Sequence, residues 1–594
     1  MRSTVSPTSL STLPKGSTAD ASAPTQAAQR LTASPLQRRN RNNDAIVSGT
    51  LKYLLLLLLI LALAMPLLAM LGQALLDHGQ WAGLAPWHKL TANPNFVPMV
   101  GRSIGVAAAT ALLVVPLAYL FAYGLQRTLA PAKGLWRAIA LLPLLAPSLL
   151  PGIALIYLFG NQGLFKEWMN GSIYGFWGIL LGETFYTFPH ALMILLSALS
   201  LADARLYDAA AAMGAGSWKT FRSVTLPATR YGIFGAFCLV FTLTITDFGV
   251  PKIVGGAFNV LSVEAYKAVV GQQQFDRGAL VGLLLLIPAL LTFAVDGWLQ
   301  RRQRAQMSSR AELLVPRRQW RRDSVYTVIM LLISAALLLM IVVAIGASLV
   351  KLWPYNLQLT LMHYDFDNMD GGGWLAYWNS LQLALGTSVV GTIVIFTGAW
   401  LMEKTRSSRL LSAVLRLLTF LPMAVPGLVL GLGFVFFFNH PDNPLNFLYG
   451  GMTILILCSV MHFYTSAHLT AVTALKQIDP EFEAASASLK VPLWRTYLRI
   501  TVPLCLPAVL EIFRYLFVSA MTTVSAVIFL YSPNTVLAAI AVLNMDDAGD
   551  VGPAAAMSTL ILLTSIVVSL LLHWGLGSWV NKAQAWRTAS KRST

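Results

Sequence analysis

The densest set of residues that could do chemistry is GAGSWKT (214–220), where glycines, a lysine and a threonine lie as if to cradle a phosphate. A phosphate loop of the form GxxxxGK[ST] needs a glycine directly before the lysine, so that backbone amides can surround the anion. Here Trp218 holds that position, no buried strand precedes it, and no other stretch fits the pattern. The chain is therefore not expected to hydrolyse ATP or to bind a cofactor of its own. Glu183 is a second candidate, because an ionisable group inside an apolar run is costly unless it works. Its carboxylate could meet an amine on a solute, whereas a gate or packing role needs only a hydrogen-bond partner, and the structural role is the favoured one. Glu511 and Arg514 stand three apart, suited to an ion pair on one helix face. His462 and His468 stand six apart and do not share a face, so they are not read as metal ligands. Asp546, Asp547 and Asp550 in MDDAGD are read as a solvated loop that touches a binding protein. Cys238, Cys458 and Cys505 fall in or beside apolar runs with no CxxC spacing and read as packing residues.

The elements around these residues are apolar. Of 594 residues 56% are hydrophobic and only 11% charged, against about 25% charged in soluble domains. Apolar runs of about 20 residues recur, each long enough to cross roughly 30 Å of hydrocarbon, and in lipid the backbone must satisfy itself, which makes helices the default. Hydropathy places twelve spans near 53–76, 98–125, 138–159, 173–200, 231–249, 279–299, 325–350, 376–402, 410–438, 449–475, 507–531 and 553–580. The fold class is thus an all-α polytopic membrane protein. The run from Lys52 imitates a signal peptide, but apolar character continues to Leu76, so an uncleaved first span is expected.

A net charge of +17 might suggest nucleic acid, yet the basic residues are spread over loops rather than gathered on one platform. With the N-terminus inside, 34 Lys and Arg residues fall in inside segments and 6 in outside loops. That bias marks the cytoplasmic side, so both termini are expected there. Residues 1–50 read as a disordered basic tail, 301–324 as a basic cytoplasmic linker and 582–594 as a second tail. Between them lie two six-span halves, 51–300 and 325–581. The halves repeat one another: Asp203 matches Asp479, Trp218 matches Trp494, Pro227 matches Pro503 and Phe241 matches Phe517, each pair 276 residues apart. Ser103 and Ala122 match Ser380 and Ala399, and Pro143 and Pro147 match Pro422 and Pro426. An even number of spans per half gives both copies one orientation, related by an axis along the membrane normal.

Within each half one inside loop, 201–230 or 476–506, carries an unusual pattern. The first, DAAAAMGAGSWKTFRSVTLP (208–227), starts as an Ala-rich helix, meets glycines that allow a sharp turn, and resumes as a short helix. Trp218, Phe221 and Val224, like Trp494, Tyr497 and Ile500, recur at i, i+3, i+6 and are expected to form one apolar face. Pro227 and Pro503 mark where the next span is expected to begin. A single segment of this kind could rest in the lipid interface; two at matching positions fit a knob for a partner better.

This pattern resembles the EAA motif of ABC importer permeases, over about residues 98–299 and 376–580. The resemblance implies a type I importer fold, with each loop a coupling helix seated in a cleft of one ATPase subunit, ATP and Mg held by that ATPase dimer, and a periplasmic solute-binding protein on the other side of a bacterial inner membrane. Carried over, Asp208 takes the acidic position, Ala209 and Ala210 the alanines and Gly214 the glycine. The second copy departs: Ala484 stands at the acidic position with Glu483 one place early, Ala485 follows, and Lys490 replaces the glycine, so coupling there is expected to be weaker or differently shaped. ITDFGVPKIVGG (245–256), YKAVVGQQQF (266–275), TVSAVIFLYSPNT (523–535) and AVLNMDDAGD (541–550) are most similar to permeases for 2-aminoethylphosphonate; iron(III) and thiamine permeases are the alternatives. A carrier driven by an ion gradient also uses duplicated six-span halves, but would need an ion relay or broken substrate-site helices.

Overall fold

The computed structural model describes residues 35–77, 80–169, 173–200, 203–306, 314–316 and 318–583. Eight helices are long and apolar enough to cross a membrane, and four further pairs, each bent at a short break, bring the number to twelve if each pair is one span. Each of the twelve overlaps one hydropathy run, but the fifth and eleventh start at Ser217 and Leu493 rather than at 231 and 507. Two further boundaries move. The expected disordered tail is helix from Pro35, continuous with the first span (Asp44–Gln73), while residues 1–34 lie outside the described residues. The linker is helical at both ends, up to Gln306 and from Trp320, and residues 307–313 and 317 fall outside the description. Of the second tail only 582–583 are described, as the end of the last helix.

The third span of each half is broken at the matched prolines. Lys133–Leu145 meets Leu150–Phe159 at 102°, and Arg409–Ala424 meets Gly427–Phe438 at 115°. A residue before proline is driven out of the helical region by the ring, and Ala146 and Val425, which precede Pro147 and Pro426, are both extended. Irregular backbone at membrane depth must be covered by protein. Each break packs against the chain just after the fifth span of its half, and the contact is too close for two ordinary side chains. A Cβ added to Gly249 would lie 2.3 Å from Ser148 Oγ, and one added to Gly427 would lie 2.5 Å from Ser525 Oγ. Serine and glycine have exchanged places between the repeats.

The first spans are exchanged between halves, which the sequence repeat does not announce. Met65–Gln73 packs on Gly427–Phe438 of the second half, and the seventh span, Trp320–Leu349, packs on Phe96–Arg127 and Leu150–Phe159 of the first. Pro66 approaches Gly433 so closely that a Cβ there would meet its carbonyl oxygen at 2.8 Å. Lys52, almost fully buried in the first span, donates to the carbonyls of Thr405 (3.2 Å) and Arg406 (2.8 Å), just past the end of the eighth span, Gly373–Lys404. A cation there satisfies carbonyls that the helix itself cannot.

On the face opposite the EAA-like loops, short helices follow the fifth span of each half, among them Leu261–Tyr266 and Ala538–Ala548. The matched serines start both: Ser103 Oγ accepts from Leu261 N–H (2.9 Å) and Ser380 Oγ from Ala538 N–H (2.7 Å). MDDAGD is mostly the end of a helix rather than a loop, although Asp547, Ala548 and Gly549 are exposed as expected. Asp547 pairs with Lys252 of the first half at 2.9 Å, and a lysine near the C-terminal end offsets carboxylates that the helix dipole disfavours.

Candidate coupling interface

Both EAA-like loops have the helix–turn–helix form read from the sequence. Asp203 caps Ala204–Ala212 by accepting from Arg205 N–H (3.1 Å), and Asp479 caps Pro480–Ser488 by accepting from Glu481 N–H (3.0 Å). Each lead helix then ends in the same reversed turn. Ala215 N–H returns to Ala210 C=O at 3.0 Å and Val491 N–H to Ser486 C=O at 3.1 Å, across a left-handed residue: Gly214 at φ 68° and Lys490 at φ 58°. The expected difference in shape is not there. Lys490 keeps the glycine's conformation, at a cost of about 1 kcal/mol for a residue with a Cβ.

The expected apolar face is divided in two. Phe221 turns inward and meets Tyr119 and Tyr123 of the second span edge-on, at 6.2 and 6.1 Å. Tyr497 also turns inward, its ring tilted against Phe396 (6.1 Å) and Trp400 (4.6 Å) of the eighth span, and its hydroxyl lies 2.9 Å from Thr397 Oγ1. Trp218 and Trp494 stay outside, 73% and 54% exposed. Trp218 stacks on Phe221 at 5.6 Å, and the Arg495 guanidinium covers Trp494 at 5.1 Å. One aromatic ties each short helix to its own half while its neighbour faces outward.

Pro227 does not begin a span. The helix runs unbroken over Ser217–Thr246, with a wider turn at Phe221–Thr225 just before the proline, where the ring would crowd a normal α turn. The second half has the same wide turn at Tyr497–Thr501 but bends by 77° at Cys505, where Pro507, absent from the first repeat, removes another N–H. Pro503 likewise lies inside the helical pair Leu493–Leu504 and Leu506–Thr522.

Asp208 and Ala209 are exposed and Ala210 is buried; in the second loop Ala484 and Ala485 are exposed, and Ser486 takes the buried place. Glu483 is not a displaced motif acid. It pairs at 2.7 Å with Lys404 at the end of the eighth span. The corresponding residues of the first half, Tyr207 and Arg127, meet as ring and guanidinium at 5.0 Å. The second loop thus presents no carboxylate where the first presents Asp208.

Glu183 sits in the fourth span, Phe176–Ser200, with no exposed surface. It lies beside Thr244 and Asp247 at the end of the fifth span, a neighbour that the spacing of residues gave no means to foresee. Glu511 and Arg514 form the expected ion pair, with Nε to Oε2 at 3.1 Å. His468 stacks on Tyr464 (5.7 Å), His462 lies tilted against Phe463 (4.6 Å), and no group of three metal-ligating side chains occurs among the described residues. All three cysteines are buried. Lys219 ends a four-residue helix, Ser217–Thr220, with no strand before it, so the phosphate-loop likeness has no structural counterpart.

A family described as the inner membrane component of binding-protein-dependent transport systems matches residues 114–305 and 394–574, one copy per half. The chain is similar to a ferric transport system permease protein of Actinobacillus pleuropneumoniae, 27% identical over 470 residues, 75% of this chain and 66% of the relative. It is similar to a second ferric permease, of Haemophilus influenzae, at 26% over 81% of this chain and 77% of the relative. A thiamine transport system permease protein of Escherichia coli is 26% identical over 58% of this chain and 64% of the relative. Each family match begins inside the second span of its half and leaves out the exchanged first span. Two matched copies in tandem, with an EAA-like loop in each, place this chain in the family of inner membrane components of binding-protein-dependent transport systems, as a fused two-half member.

Proposed function

We propose that the chain is the permease of an ATP-driven importer, with both loops and both termini on the cytoplasmic side, one ATPase subunit seated on each loop, and a periplasmic binding protein delivering solute to the opposite face. The observation that carries this reading is the divided aromatic pair in each loop. Trp218 and Trp494 are offered to a partner, while Phe221 and Tyr497 fix the same short helices to the second and eighth spans. Closure of an ATPase dimer holding both tryptophans would draw the loops together and rock the halves as rigid bodies. ATP and Mg stay on the ATPase, and this chain forms no covalent bond with the solute.

For the cargo, 2-aminoethylphosphonate is supported by the likeness of residues 245–256 and 523–535 to permeases for that solute. Iron(III) is at least as well supported, because two of the similar proteins are named ferric permeases. Binding of the cognate external protein to 2-aminoethylphosphonate, iron(III) or thiamine, measured by calorimetry, decides between them. Tight binding of the aminophosphonate supports the first reading; tight binding of iron(III) with none of the aminophosphonate replaces it by the second.

A further inference from the structure

Two acidic side chains meet inside the first half without a basic partner. Glu183, on the fourth span, has no exposed surface, and its carboxyl faces Asp247 and Thr244. Asp247 faces it from the end of the fifth span, where its Oδ2 also accepts from Val250 N–H at 2.9 Å. Thr244, one turn earlier, adjoins Glu183 and is 3% exposed. No lysine or arginine is among the described groups that act on either carboxyl. Buried carboxyl oxygens that meet only one another and a hydroxyl are costly to keep, and a chain keeps such a set where something else completes it.

The position agrees with passage of a solute. Asp247 ends the helix Leu226–Thr246 and starts a break before Gly249–Val254, against which the broken third span packs. Irregular backbone at membrane depth is tolerated where protein buries it or where it lines a cavity. Tyr186, one turn from Glu183, lies within electrostatic reach of Glu183, of Asp247 and of Tyr515 on the eleventh span, so the pair borders the contact between halves. The second half offers no copy: the repeat places Ser459 and Thr523 where Glu183 and Asp247 stand, both buried. Any charge selection is therefore made by one half.

We infer that Glu183, Asp247 and Thr244 form a one-sided oxygen site that receives the positively charged part of the transported solute, a primary ammonium or a hard metal cation. The inference rests on the importer reading above and narrows it: cargo with positive charge fits the site, and a plain oxyanion such as molybdate does not. Two carboxylates and a hydroxyl supply hard oxygen donors for a metal ion and equally the acceptors an ammonium needs.

The test uses the full permease with its ATPase pair and binding protein in proteoliposomes. The probes are iron(III), 2-aminoethylphosphonate and molybdate, and the readouts are uptake and the ATP consumed per solute delivered. Glu183→Gln and Asp247→Asn keep shape and hydrogen-bonding capacity while removing charge. Each is expected to cut uptake of the transported probe at least tenfold and to raise ATP consumed per solute by a similar factor, with Glu183→Asp recovering part of the loss. A general packing defect would lower uptake and stimulated hydrolysis together, and that outcome overturns the proposal. Uptake retained by both isosteres also overturns it, since the pair would then hold no more than a proton. Accumulation of molybdate alone by the unaltered importer overturns the charge selection while leaving the importer reading standing; absence of ATP-driven uptake in the unaltered protein is the failure of that reading instead. Iron(III) or 2-aminoethylphosphonate as the accepted probe separates the metal from the ammonium.

Discussion

At the scale of single residues the two EAA-like loops differ in chemistry more than in shape. Lys490 holds a left-handed conformation that Gly214 adopts without strain. Lys490→Gly should therefore stabilise the second loop by about 1 kcal/mol, seen as a raised midpoint of thermal unfolding, whereas Gly214→Ala should lower it. Asp546 provides a second residue-scale prediction. Burial, with Asp547 beside it, pushes its carboxyl up to about 6. A carboxyl raised in the folded state stabilises it at low pH, and that contribution is lost as pH climbs from the ordinary carboxylate range through about 6. Asp546→Asn, with no charge to bury, should unfold at a higher temperature than the parent at pH 7.5, and the gap should close by pH 4. A gap that does not change with pH would remove this account of Asp546. Glu483 was legible from sequence only as an acid out of register, because its partner Lys404 is 79 residues earlier and belongs to another span.

At the scale of elements, packing decides what the motif residues do. Spacing alone put Trp218, Phe221 and Val224 on one face, but the wide turn at Phe221–Thr225 and the rings of Tyr119 and Tyr123 draw Phe221 inward and leave Trp218 outside. Phe221→Ala should lower the stability of the permease itself by roughly 2 kcal/mol. Trp218→Ala should leave its unfolding temperature within a degree or two and weaken its association with the ATPase, measured by co-purification. The broken third spans allow a sharper test. Gly249→Ser drives a side chain into Ser148 and should sharply reduce folded protein. Adding Ser148→Gly reproduces the arrangement of Gly427 and Ser525 and should restore it. Failure of the double variant would mean that the exchange of serine and glycine between repeats is not a matter of space. The prolines behind both breaks were visible in the sequence, but their effect was not, since a proline-containing apolar run reads as one span until the extended residues before Pro147 and Pro426 are seen.

For the whole molecule, the twelve spans, the repeat and the loops were legible because apolar length and matched positions are local or periodic signals. The exchange of the first spans was not, because it depends on which surfaces meet across the interface between halves: Met65–Gln73 on Gly427–Phe438, and Trp320–Leu349 on Phe96–Arg127. Nor was the meeting of Glu183 with Asp247, which are 64 residues apart on different spans. The exchange ties each half to the other, so the loops fixed to the second and eighth spans can move the halves only as interlocked bodies. In the proposed importer, ATP hydrolysis on a partner, delivered through these loops, drives uptake. Solute accumulation in proteoliposomes holding the permease, its ATPase and loaded binding protein tests it most directly. Uptake that requires ATP and the ATPase and collapses in the Trp218→Ala, Trp494→Ala double variant is the predicted result; uptake driven by a proton gradient with neither ATP nor ATPase would contradict it.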